Sequence, residues 1–148
     1  MKYLLTYLSM ALGALLLNAP LAQAEGKTHY VAIHVDQADP KVQNMALNNA
    51  VNVTKYYESK GDTVVIEMVA YGPGLTMYLD GKSQVADRIS TMSLEFENLS
   101  FAACGNTHRK MSERAGKTLA LMDEATVVPS GVVRLIELQE QGYAYVRP

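Results

Sequence analysis

Two kinds of hydrophobic pattern alternate along this chain. Tyr30-Val31-Ala32-Ile33-His34-Val35 is a mostly apolar run with β-branched residues and no helical period, which predicts a strand buried on both faces. Asp39-Pro40 then supplies an N-cap and a proline in the first helical turn. Beyond it Val42, Met45, Ala46, Ala50, Val53 and Tyr57 recur at steps of three and four, so the segment reads as a helix with one apolar face. Asn44, Asn48, Asn52 and Lys55 fall largely on the other side. Gly61 closes this helix as a C′ residue, and Thr63 to Ala70 is the next strand. Strand, helix and strand in succession make a βαβ unit, with parallel strands and a right-handed crossover.

The alternation continues toward the C-terminus. Tyr71-Gly72-Pro73-Gly74 is a loop, Leu75 to Leu79 one helical turn, and Val85, Ala86, Ile89 and Met92 mark a short amphipathic helix over 82–92. Leu99 to Ala103 is the third strand, followed by a helix from Thr107 to Arg114. Poor periodicity from Leu119 to Glu124 reads as a loop or a short turn. Thr126 to Val128 is the fourth strand, and Ser130 caps a helix carrying Val132, Val133, Leu135, Ile136 and Leu138. Gly142 stops that helix, and Tyr143 to Val146 is the fifth strand. Such an alternation predicts an α/β protein, a three-layer sandwich on a mainly parallel five-stranded sheet.

Residues 1–24 read differently. Lys2 supplies a positive start, Tyr3 to Leu17 an apolar stretch, Asn18-Ala19-Pro20-Leu21 a helix break, and Ala22-Gln23-Ala24 small residues where a signal peptidase reads. The expectation is a signal peptide over 1–24, one domain over 25–148 beginning near Glu25, and a periplasmic or secreted location. The apolar stretch falls short of the roughly 20 residues that span a bilayer. No other stretch is long enough, so no membrane association is expected after cleavage. The 13 Lys and Arg against 15 Asp and Glu are dispersed along the chain. That distribution lacks the clustered basic face a nucleic-acid partner requires.

The exported setting sharpens the chemistry of Cys104, the single cysteine. It cannot form a disulfide within its own chain, so it is inert, paired between chains, or reactive. Ligands bind outside the carboxyl ends of parallel strands. That edge carries His34 and Asp36 after the first strand, Tyr71 and Gly72 after the second, and Cys104, Asn106, Thr107 and His108 after the third. The N–H groups opening the next helix, with His108, Arg109 and Lys110, favour a thiolate at Cys104, whereas Phe101, Ala102 and Ala103 disfavour it if the thiol faces inward. No Cys-x-x-Cys or His-x-x-x-His spacing marks a metal site. No cofactor motif is present either: Gly72-Pro73-Gly74 lacks the lysine and serine of a phosphate loop, and no Gly-x-Ser-x-Gly elbow occurs. Met45, Met68 and Met92 occupy expected core positions.

These segments together resemble the DsrE/DsrF-like family of small α/β proteins, which includes sulfur-relay subunits. The resemblance rests on His34-Val35-Asp36, on Val69-Ala70-Tyr71-Gly72-Pro73-Gly74 and on Cys104-Gly105-Asn106-Thr107. Val128-Pro129-Ser130-Gly131-Val132, Leu138-Gln139 and Gly142-Tyr143-Ala144-Tyr145 look like its exported branch. The resemblance implies a flavodoxin-like (DsrE-like) sandwich, homo-oligomers such as trimers or hexamers, and sulfur carried as a persulfide on Cys104. A thiol-bearing sulfur donor or acceptor would be the partner. Without the resemblance, the same residues also suit a non-catalytic homo-oligomeric module that binds a small ligand or a protein beside an inert Cys104.

Overall fold

A computed structural model describes residues 26–148; the expected signal segment and the start near Glu25 lie outside the described residues. Five parallel strands form one sheet in the order β4-β3-β2-β1-β5. They are β1 Thr28–Val35, β2 Thr63–Ala70, β3 Leu99–Cys104, β4 Ala125–Val128 and β5 Ala144–Val146. Between them run α1 Pro40–Glu58, a 3₁₀ helix Gly72–Tyr78, α2 Ala86–Glu95, α3 Gly105–Ala115 and α4 Gly131–Glu140. The expected α/β three-layer sandwich is therefore the observed one, and its sheet is wholly parallel.

Strand order dictates the layers. From β1 to β4 each crossover steps the same way across the sheet, and right-handed crossovers stepping one way place their helices on one face. The connection from β4 to β5 returns across β3, β2 and β1, so α4 lies on the opposite face. The packing follows this division. Val31, Ile33 and Val35 of β1, Ile66 and Met68 of β2 and Phe101 of β3 meet Ala46 and Leu47 of α1, Leu75, Met77 and Tyr78 of the 3₁₀ helix, and Ile89 and Met92 of α2. The alternate residues Ala32, Val69 and Ala102 meet Leu135 and Leu138 of α4.

Local chemistry explains the elements and their displacements from expectation. Asp39 caps α1 by accepting the Lys41 N–H at 2.8 Å, with Pro40 in the first turn. The buried stripe of α1 is Gln43, Ala46, Leu47 and Ala50, rotated from the expected one, and Met45 is exposed. Gln43 is admitted because its amide donates to the Gln37 carbonyl at 3.2 Å and the Thr76 hydroxyl at 3.1 Å. The Tyr71-Gly72-Pro73-Gly74 segment enters the 3₁₀ helix rather than remaining a loop, and Tyr78, fully buried within it, donates its hydroxyl to the Met68 carbonyl at 2.7 Å. α2 is shifted toward the C-terminus, and α3 starts before Thr107 because Cys104 itself is the N-cap. Leu121 forms an isolated bridge to Leu79 in the segment of poor periodicity.

The second face carries an ion pair that holds α4 down. Glu67, in the middle of β2, accepts two hydrogen bonds from the Arg134 guanidinium, both 2.6 Å long. The Glu67 carboxylate also holds the Arg134 pKa above its usual value, so the guanidinium stays charged.

Candidate functional site

β3 leads into α3 on one face and its neighbour β4 leads into α4 on the other. Adjacent strands whose connections part in this way leave a crevice outside their carboxyl ends, where ligands bind in open α/β sheets. Cys104 stands at that fork. It is the last residue of β3 and the N-cap of α3, and its Sγ accepts the Thr107 N–H at 3.5 Å.

The other helix arrives from the opposite side. A Cβ at Gly131, the first residue of α4, would lie 2.9 Å from the Tyr71 Cβ and 3.1 Å from the Cys104 Cβ. Glycine alone permits this approach without displacing a neighbour. On the α3 side a Cβ at Gly105 would lie 3.1 Å from the Val128 carbonyl oxygen, and the Asn106 N–H donates to the Pro129 carbonyl at 3.3 Å. Two helix N-termini thus converge on Cys104, each with its partial positive charge directed outward along the axis.

Burial is the largest influence on Cys104 and pushes its thiol pKa up. The Thr107 hydroxyl and the N–H groups of Gly131, Thr107 and Asn106 together outweigh it, and the pKa lies below the usual thiol value. Asn106 directs its N–H chiefly at Pro129, and the donor that meets hydrogen-bond geometry at Sγ is the Thr107 N–H. Thr107 is held in the orientation this requires, because its Oγ1 accepts the Gly72 N–H at 3.0 Å, which leaves the hydroxyl proton for sulfur. Gly72 holds φ at 53°, a left-handed conformation that favours glycine. The thiolate is therefore favoured by neutral donors rather than by cations.

A second cluster adjoins the first through Tyr71. His34, at the end of β1, stacks on the Tyr71 ring with centroids 4.5 Å apart, and its Nδ1 shares a 2.7 Å hydrogen bond with the Tyr145 hydroxyl. Desolvation lowers the His34 pKa below its usual value; Asp36 opposes that shift and Arg147 adds to it. Asp36 is held by the Arg147 guanidinium through contacts of 2.7 and 3.3 Å. Burial, followed by Asp36, raises the Tyr71 pKa, so its phenol is neutral at physiological pH.

The fold brings most of the expected residues to one edge. Thr107 contacts the Cys104 sulfur and Gly72 contacts Thr107, Tyr71 meets Gly131 beside Cys104, Asn106 lies at the rim, and His34 with Asp36 continues the row toward β5. His108 is not brought there: its Nε2 bonds the Leu119 carbonyl at 2.7 Å. Arg109 pairs with Glu113, 2.9 Å away on the exposed side of α3. The expected cationic contribution to the thiol is thus replaced by Thr107 and Gly131. Gly131, Tyr145 and Arg147 are absent from the expected set, because only the strand order brings β4 and β5 to the flanks of this edge. Among the described residues, no three His, Cys, Asp or Glu side chains gather as a metal-binding group, and no helix is long and apolar enough to cross a membrane.

No protein-family model matches the chain, and no curated protein matches it. A solved structure does. The protein of unknown function MTH1491 from Methanobacterium thermoautotrophicum is 28% identical, superposes with a TM-score of 0.65, and is matched over 81% of this chain and 99% of its own length. Nearly the whole of that protein is therefore this one α/β domain.

Proposed function

We propose that this protein is an exported, DsrE-like sulfur carrier that holds sulfane sulfur on Cys104 as a persulfide. The observation that carries the reading is the fork geometry: one thiol at the switch point accepts the Thr107 N–H as the N-cap of α3, packs against the first residue of α4, and has a pKa below the usual thiol value. Thiolate is the nucleophilic form of cysteine, and the donors at Cys104 stabilise it and an added terminal sulfur alike. In loading, the Cys104 thiolate attacks the end sulfur of an inorganic polysulfide dianion. A bond forms between Sγ and that sulfur, the adjoining bond within the polysulfide breaks, and its electron pair leaves on a polysulfide one sulfur shorter. In unloading, an acceptor thiolate attacks the outer sulfur and Cys104 departs as thiolate, so no external oxidant or reductant enters. Release needs a partner thiol, because the chain has no second cysteine. The periplasmic or secreted location and the homo-oligomer of trimer or hexamer size belong to the same proposal.

Intact-protein mass spectrometry after incubation with polysulfide tests it. The folded protein should gain the mass of one sulfur atom, Cys104→Ser should gain none, and Thr107→Val should load about tenfold more slowly at neutral pH, the size of one charge-assisted hydrogen bond. No gain in the folded wild-type protein would overturn the reading.

One observation favours the alternative of a non-catalytic binding module. Cys104 is only 4% exposed, as structural thiols are. Alkylation that is slow in the native state and fast after unfolding would support that module over the carrier.

A further inference from the structure

β5 is a marginal edge strand. It pairs with β1 through Val31 and Ala144, Ala32 and Tyr145, and Ile33 and Val146, with no strand on its other side among the described residues. Three ladder pairs are few for a strand, so its place depends on side chains. Two such locks exist, the His34–Tyr145 hydrogen bond and the Asp36–Arg147 ion pair.

The first lock carries a defect. His34 is 4% exposed, and its buried Nε2 finds no hydrogen-bond partner among the described residues. A buried N–H without an acceptor is the rarer and costlier orphan, which favours the neutral tautomer with Nδ1–H donating to the Tyr145 oxygen and Nε2 bare. Protonation places a hydrogen and a positive charge at Nε2, where nothing accepts either. The groups facing the ring do not relieve this. Tyr71 after β2 and Tyr145 of β5 present aromatic rings, and α4 presents Leu135 and Leu138 to this face. Arg147 is a like charge, and the carboxylate of Asp36 is already committed to it.

We propose that His34 is an acid-sensitive latch: a proton on its buried Nε2, which nothing accepts, drives the ring from its seat against Tyr145, releases Ala144–Val146 from β1 and withdraws the stacking support of Tyr71. Tyr71 also packs against Gly131 at the Cys104 fork, so release uncovers the thiol; that consequence rests on the sulfur-carrier reading, whereas the latch does not. The sign follows from linkage. Burial, the largest influence, depresses the His34 pKa in the closed state below its usual 6.5, while the released ring regains its ordinary value. The closed state is thus fully favoured above that ordinary value. It loses ground as pH falls toward the depressed one, by about tenfold in the opening constant per pH unit.

Amide hydrogen exchange of the whole protein from about pH 8 to about pH 5 reads this, with protection factors at those amides of Ala144–Val146 that donate to β1 referred to Val69 in the sheet interior. The wild-type protein should lose β5 protection by about tenfold per pH unit within the window, with Val69 steady. His34→Asn, which keeps a polar group near the Nδ1 position and cannot titrate, should show no step. Tyr145→Phe should loosen β5 already at about pH 8 and blunt the step. Constant wild-type protection, the same step in His34→Asn, which would assign it to another group, or an unchanged profile in Tyr145→Phe each overturns the latch. Failure of sulfur loading beside an intact step would remove the carrier and leave the latch standing.

Discussion

The two faces of the sheet are built to different standards. One is covered by α1, the 3₁₀ helix, α2 and part of α3, and it buries large apolar side chains such as Ile33, Leu47, Met68, Leu75 and Tyr78. Among the described residues the other is covered by α4 alone, over small sheet residues such as Ala32 and Ala102, and it carries Glu67, His34 and Cys104. At roughly 1.5–3 kcal/mol for each large apolar side chain buried, the first face supplies most of the hydrophobic stabilisation. The second is where titratable and nucleophilic groups are admitted, each with specific partners. Stability and candidate chemistry thus occupy opposite sides of the same five strands, with alternate residues of each strand serving one or the other.

Substitutions along this division test it, and urea unfolding midpoints provide the measure. Ile66→Ala, in the thick layer, should cost about 2–5 kcal/mol and leave the reactivity of Cys104 unchanged. Arg134→Met should cost about 3 kcal/mol by stranding the Glu67 carboxylate beneath α4. Because α4 starts at the fork, it should also alter alkylation of Cys104. Ile136→Ala, at a half-exposed position of α4, should change stability by no more than about 0.5 kcal/mol. A cost there rivalling that of Ile66→Ala, and growing with protein concentration, would mean that another copy covers the thin face and that the asymmetry belongs only to the single chain.

Much of this architecture is legible in the residues, for physical reasons that also mark where legibility ends. Thr63–Ala70 is recognisable as a strand because turn residues bound it on both sides, and Asp39-Pro40 marks the start of α1 because capping is a local interaction. The choice between neighbouring helix faces is not local. Met45 and Ile136 have the right spacing for burial yet are exposed, since tertiary contacts rotate each stripe toward Gln43 and Leu47 or toward Leu135 and Leu138. Cys104 and Thr107 are visible as a motif, but the partners contributed by Gly131 and Tyr145 depend on where α4 and β5 cross the sheet. One signal does point to that crossing: Glu67 in an otherwise apolar strand demands a buried cation, and Arg134 lies at the spacing that puts it on the same helix face as Leu138.

The fork at Cys104 also makes the molecule its own reporter. As the chain contains no other thiol, a fluorophore or spin label directed at cysteine has one point of attachment, with no competing residue to remove. That point touches the first residue of α4 on one side and opens α3 on the other. A label there would sense the seating of both helices at once, and its signal would register movement of either layer relative to the sheet.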